Sequence, residues 1–129
     1  MLTEKRKILV YSCSGASSAA QLANWIAIQL DRRGFSEMSC IAGIGGGVKA
    51  LLAKASTADK IISIDGCPLV CVEHCLSREG LKSDVRYELS QLGVPKKQHA
   101  DFDPDQAKKV LEWIIDDLKQ KRLIDPEGV

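Results

Sequence analysis

Five cysteines are the residues of this 129-residue chain best suited to chemistry. Cys13, Cys40 and Cys67 are evenly spaced, and Cys67, Cys71 and Cys75 follow one another at steps of four. Thiolates act as nucleophiles, redox couples and soft metal ligands. An odd count leaves one thiol over in any complete pairing, and disulfides are rare in reducing cytosol. Shared thiol or metal chemistry is therefore the expectation, not cross-linking.

The elements around the cysteines set where they can meet. KILVYSC at 7–13 is a short, branched apolar run of the kind a doubly buried strand needs. Ala19, Leu22, Ala23, Ile26, Ala27 and Leu30 then recur at helical spacing, with Arg32, Arg33 and Gly34 as the stop. A weaker strand is expected over 35–41, a glycine-rich turn over 43–47, and a short helix through Val48, Leu51, Leu52 and Ala55. KIISID at 60–65 reads as a third strand. Pro68 then suits a first helical position, which makes Cys67 the N-cap of a helix running to about Arg78. Val85, Tyr87 and Leu89 alternate with polar residues, as in a strand near an edge. Asp103-Pro104-Asp105-Gln106 has the form of a capping box, and the last helix carries Ala107, Val110, Leu111, Ile114, Ile115 and Leu118. The charged tail from Lys119 is expected to fray.

Alternating strands and helices imply one α/β domain over 1–129, a three-layer Rossmann-like or flavodoxin-like fold with a mainly parallel four-stranded sheet. Right-handed crossovers put every strand's carboxyl end on one edge, where open α/β sheets bind ligands. Cys13, Cys40 and Cys67 each end a predicted strand, and Cys71 follows within the first turns of the next helix. Four thiolates converging there would form a tetrahedral zinc site. Cys75 lies roughly 12 Å along that helix from Cys67, too far to join. His74 is read as unligated. Asp65 is read chiefly as orienting the Gly66 turn, and Ser12, Ser14 and Ser17 as capping groups. A helix start at Cys67 would favour its thiolate, and the 45–47 glycines would offer N–H groups to sulfur.

At these residues the sequence resembles the putative zinc-binding family named for its Asp-Gly-Cys (DGC) motif. The matching segments are CSGASSAAQLAN at 13–24, CIAGIGG at 40–46, IDGCPLVC at 64–71 and ELSQLGVPKK at 88–97. The resemblance implies that Cys13, Cys40, Cys67 and Cys71 are the family's four metal cysteines. It implies no reaction.

Composition bounds the alternatives. The chain is 45% hydrophobic with a formal charge of +1, so neither a basic stripe for nucleic acid nor an acidic tail is expected. No apolar run nears the ~20 residues of a membrane helix, and the one at 8–11 is too short for a signal peptide. The expected partner is a metal ion and the expected compartment the cytoplasm. Two other readings stay open: a thiol-based redox, sulfur-transfer or iron–sulfur protein, and a phosphocysteine-type carrier enzyme using Cys13. Against the carrier, no arginine follows Cys13 closely, and no serine has a histidine and acid set to activate it. Trp25 and Trp113 flank their helices' apolar stripes and are expected to pack on neighbouring loops.

Overall fold

The structure, a computed structural model, describes residues 6–124. The apolar run forms β1 (Ile8–Ser12), buried over its last four residues. Ser17 then caps α1 (Ser18–Arg32), its Oγ accepting from the Ala20 amide at 3.2 Å. The helix buries the expected stripe, and Leu22, Ile26 and Leu30 each contribute about 1.5–3 kcal/mol by leaving water. Gly34, at φ 78°, lets the Phe35 amide return to the Leu30 carbonyl and close the helix end.

The second strand departs from expectation. Only β2 (Glu37–Met38) pairs, against Leu9 and Val10, and Ile41 already begins α2 (Ile41–Gly45). Polar Ser36, Glu37 and Ser39 leave too little apolar face to extend the strand. Residues 43–45 of the expected glycine turn are thus helical, and α3 (Lys49–Ser56) follows from Val48. The central β3 (Lys60–Asp65) is buried from Ile61 onward. Next come α4 (Cys71–Arg78), β4 (Val85–Glu88), a 3-10 turn (Leu89–Leu92) and α5 (Pro104–Gln120). Asp103 caps α5 through the Asp105 amide at 3.1 Å. The reciprocal half of the capping box is absent: Gln106 donates to the Gly93 carbonyl instead, at 3.2 Å.

All four strands are parallel, in the order β2-β1-β3-β4. One face of the sheet packs α1 and α5 around Val10, Ile62, Ile64, Val85 and Tyr87. The other packs α2, α3 and α4 on Leu9, Tyr11 and Ile61. The result is a three-layer α/β domain. Tyr87 ties the β4 edge to α5 by donating to Asp117 at 2.6 Å. Burial works against charge on Asp117, but hydrogen bonds from Lys121 and Tyr87 hold its pKa below the usual carboxylate value. Trp25 packs on Phe102 of the loop before α5, whereas Trp113 stays half exposed, edge-on to Tyr87.

The chain does not fray after Lys119. α5 continues to Gln120, and Leu123 and Ile124 fold back into the core. The rest of that tail, and residues 1–5, lie outside the described residues. No helix among the described residues is long and apolar enough to cross a membrane.

Candidate functional site

The strand order makes one place special. From β1 the chain winds outward to β2, then returns across the sheet to β3 and β4, so the winding reverses between β1 and β3. Adjacent carboxyl ends that lead away in opposite directions leave a crevice, where sheets of this type bind ligands. Cys13 follows β1 and Cys67 lies two residues past β3, so both border that crevice.

The two loops touch through sulfur. The Gly66 amide donates to Cys13 Sγ at 3.2 Å, and the Cys13 amide donates to the Ile64 carbonyl at 3.2 Å. Gly66 has no room for a side chain: a Cβ there would stand 2.7 Å from the Ala19 carbonyl atoms and 2.9 Å from the Ala20 nitrogen. The first turn of α1 therefore presses directly on the turn after β3. Cys13 is half-buried. Burial pushes its pKa up to about 11, and the neighbouring Asp65, Cys67 and Cys71 add to the rise against the Gly66 hydrogen bond. Cys13 is a protonated thiol at neutral pH, unlike a poised nucleophile.

Cys67 does not cap a helix. Residues 67–70 form a turn closed by the Val70 amide on the Cys67 carbonyl at 3.1 Å, with Pro68 at its second position. The helix starts at Cys71, not at Cys67. Pro68 suits the second position of a turn as well as a first helical position, and the sequence alone does not separate the two. Val70 occupies the N-cap position with left-handed backbone (φ 42°, ψ 55°), where a β-branched residue is strained.

No residue at the start of α4 caps it with a side chain. Asp65 does so from the end of β3, with Oδ1 accepting from the Val72 amide at 2.9 Å. Its buried carboxyl has a raised pKa because desolvation outweighs the help of the Val72 and Glu73 amides. This is a more specific role than orienting Gly66. Glu73, missed by sequence reasoning, accepts from the hydroxyls of Ser63 and Ser83 and pairs with Arg86 at 3.5 Å, which fixes α4 against β3 and β4.

Lys96 was also missed. Its Nζ stands 3.5 Å from Cys67 Sγ. The 95–97 loop that carries it is clasped to α1: the Ser18 amide donates to the Lys97 carbonyl, and the Lys97 amide to Ser18 Oγ, both at 2.9 Å. Only a contact between residues far apart in the chain could have revealed it.

Cys40 is exposed at the N-cap of α2, next to Tyr11. Gly46 and Gly47 do not offer N–H groups to sulfur, since their amides go to the Ala42 and Ile44 carbonyls. Cys71 is exposed, as is His74. Cys75 is half-buried where α4 packs on α2, and its Sγ would lie 3.2 Å from a Cβ at Gly45. Burial raises the Cys75 pKa, with Cys71 and Asp65 adding to it. Of the buried hydroxyls nearby, Ser12 has no hydrogen-bond partner. Ser17 caps α1, while Ser14 is exposed.

The fold thus gathers Cys13, Cys67 and Cys71 around the crevice and leaves Cys40 beside β2, one strand further along the same edge. Among the described residues, no three His, Cys, Asp or Glu side chains are close enough to hold one metal ion as they stand. Alkylation with iodoacetamide at pH 7.5, followed by mass spectrometry, should modify exposed Cys40 and Cys71 first and Cys13 last, by at least tenfold in rate. Equal rates would mean that the Cys13 thiol is neither sheltered nor held protonated.

Comparison with known proteins identifies the family. Residues 9–114 match the model of the DGC domain. Over 120 residues the chain is 41% identical to the anaerobic and virulence modulator AnvM of Pseudomonas aeruginosa, covering 93% of this chain and 87% of that protein. No solved structure matches. The crevice cysteines lie in the segments that carried the resemblance, and the chain belongs to the DGC-domain family.

Proposed function

We propose that the protein is a cytoplasmic zinc-binding protein whose ligands are Cys13, Cys40, Cys67 and Cys71. The observation that carries this reading is the pair of cysteine loops at the β1/β3 crevice, joined by the Gly66 amide on Cys13 Sγ. In kind, the donors suit the ion: four soft sulfurs. In placement they do not yet suit it, because no three stand within coordinating reach. Exposed Cys40 and Cys71 are the thiols freest to turn inward. Zinc held by four thiolates would be a closed site with no open position for water, which favours a structural or sensing role over hydrolysis. Such a site carries excess negative charge, and Lys96 beside Cys67 supplies a cation to offset it.

The relative's name describes a modulator of anaerobic behaviour and virulence. By analogy, this chain is read as a regulatory protein that reports metal or thiol state, with a metal ion as its ligand and neither nucleic acid nor membrane as its partner. That word "anaerobic" also favours a second reading, in which the same thiols serve redox or iron–sulfur chemistry. Elemental analysis of protein purified reduced and without oxygen separates the two. One zinc per colourless chain is expected. Alanine at Cys13, Cys40, Cys67 or Cys71 should weaken binding at least tenfold, while Cys75→Ala leaves it unchanged. A brown protein with iron and sulfide would establish the second reading, and reduced protein that takes up no metal would defeat both.

A further inference from the structure

At one point of the crevice rim a sulfur meets an amine. Lys96 Nζ stands 3.5 Å from Cys67 Sγ, and small solutes can reach the contact, since Lys96 is exposed and Cys67 half-buried. A long, flexible side chain touching a sulfur would carry little alone. The backbone on both sides, however, is anchored to the same turn of α1. Ser18 clasps the loop of Lys96: its amide donates to the Lys97 carbonyl at 2.9 Å, its hydroxyl donates to the Pro95 carbonyl at 3.3 Å, and that hydroxyl accepts from the Lys97 amide at 2.9 Å. The next residue, Ala19, abuts Gly66, which directly precedes Cys67; a Cβ there would stand 2.7 Å from the Ala19 carbonyl atoms. Pro68, directly after Cys67, has its φ fixed by its ring. Consecutive residues of one helix thus set the positions of the thiol and the amine.

An amine held beside a sulfur is placed to capture it once it is oxidised. We propose that Cys67 and Lys96 form a peroxide-driven modification site, at which oxidation joins Sγ to Nζ as a sulfenamide. In the first step the Cys67 thiolate attacks one oxygen of hydrogen peroxide and the O–O bond breaks. The sulfur becomes a sulfenic acid, and the departing hydroxide takes a proton from the Lys96 ammonium and leaves as water. In the second step the amine freed by that transfer attacks the sulfur. An S–N bond forms, the S–O bond breaks, and the hydroxyl leaves as water with one N–H proton. Sulfur has then lost two electrons and the peroxide has gained them. Proximity favours this capture over attack by a dissolved thiol. The bridge fastens loops that already sit together on α1, so it forms without displacing the backbone. It belongs to the metal-free chain and does not rest on the zinc reading.

Full-length protein, reduced and treated with a chelator, is exposed to hydrogen peroxide at neutral pH and mapped by mass spectrometry. The peptides that hold Cys67 and Lys96 are expected to appear joined, lighter than their sum by two hydrogens, and to separate with dithiothreitol. Cys67→Ser should give no joined peptide. Lys96→Arg keeps an exposed cation but has no primary amine to condense. With dimedone present during oxidation, its Cys67 should therefore take up about tenfold more label than that of the wild type. Equal labelling of the two overturns the proposal. So does Cys67 joined to Cys13 or Cys71 in place of Lys96, which assigns a disulfide, and so does a Cys67 that peroxide leaves unchanged.

Discussion

Gly66→Ala should lower the unfolding temperature by roughly 10 °C, the largest effect expected of any single methyl group in this chain. The new Cβ would meet the backbone of Ala19 and Ala20 at 2.7–2.9 Å, and backbone cannot rotate away as a side chain can. Relief requires α1 to move off β3, which would loosen a helix that buries eight residues in the core. Overpacking of this kind costs about 3 kcal/mol. The same shift would stretch the Gly66 amide from Cys13 Sγ, so zinc uptake should fall with stability. Gly15→Ala is the control, since its methyl group would meet only Ala20 Cβ at an ordinary 3.7 Å. Circular dichroism melts of the two variants decide the matter, and equal melting would remove the close approach from the account.

Asp65→Ala should cost about 2 kcal/mol, because the Val72 amide would lose its acceptor inside the core. Asp65→Asn keeps an acceptor oxygen without a charge to desolvate, and at neutral pH it should stay within about 0.5 kcal/mol of wild type. The pH dependence has a definite sign. The folded-state pKa of Asp65 is raised by burial, so its contribution is fully present below the unfolded carboxylate pKa and is lost as pH rises through the folded value. Wild type should therefore gain on Asp65→Asn as the solution is acidified from neutrality through the carboxylate range. Urea unfolding of the three proteins at several pH values measures this. A gap between wild type and Asp65→Asn that widens in the opposite direction would show that the capping bonds outweigh desolvation.

How much of this was legible depends on the range of the interaction. β1, α1, β3 and α5 follow from patterns within one segment, and the parallel sheet follows from their alternation. So does the convergence of Cys13 and Cys67, which needs only the right-handed crossover rule. The start of α4 was misread because Pro68 serves two local structures equally well, and the deciding contact is the cap from Asp65, seven residues away. The clash at Gly66 and the approach of Lys96 to Cys67 join distant parts of the chain and leave no local trace. β2 is shorter than expected because Ser36, Glu37 and Ser39 offer little apolar face, although β1 presents five residues of partner backbone. Which cysteines share an edge could be read in advance. Their separations could not.

The brevity of β2 has a consequence for how the molecule behaves in company. An outermost strand of two residues, one of them the charged Glu37, presents almost no unpaired ladder onto which a stranger's backbone could zip. The rim that carries the cysteines can then remain open to small solutes while the β2 edge of the sheet beneath it resists growing sideways into fibrils.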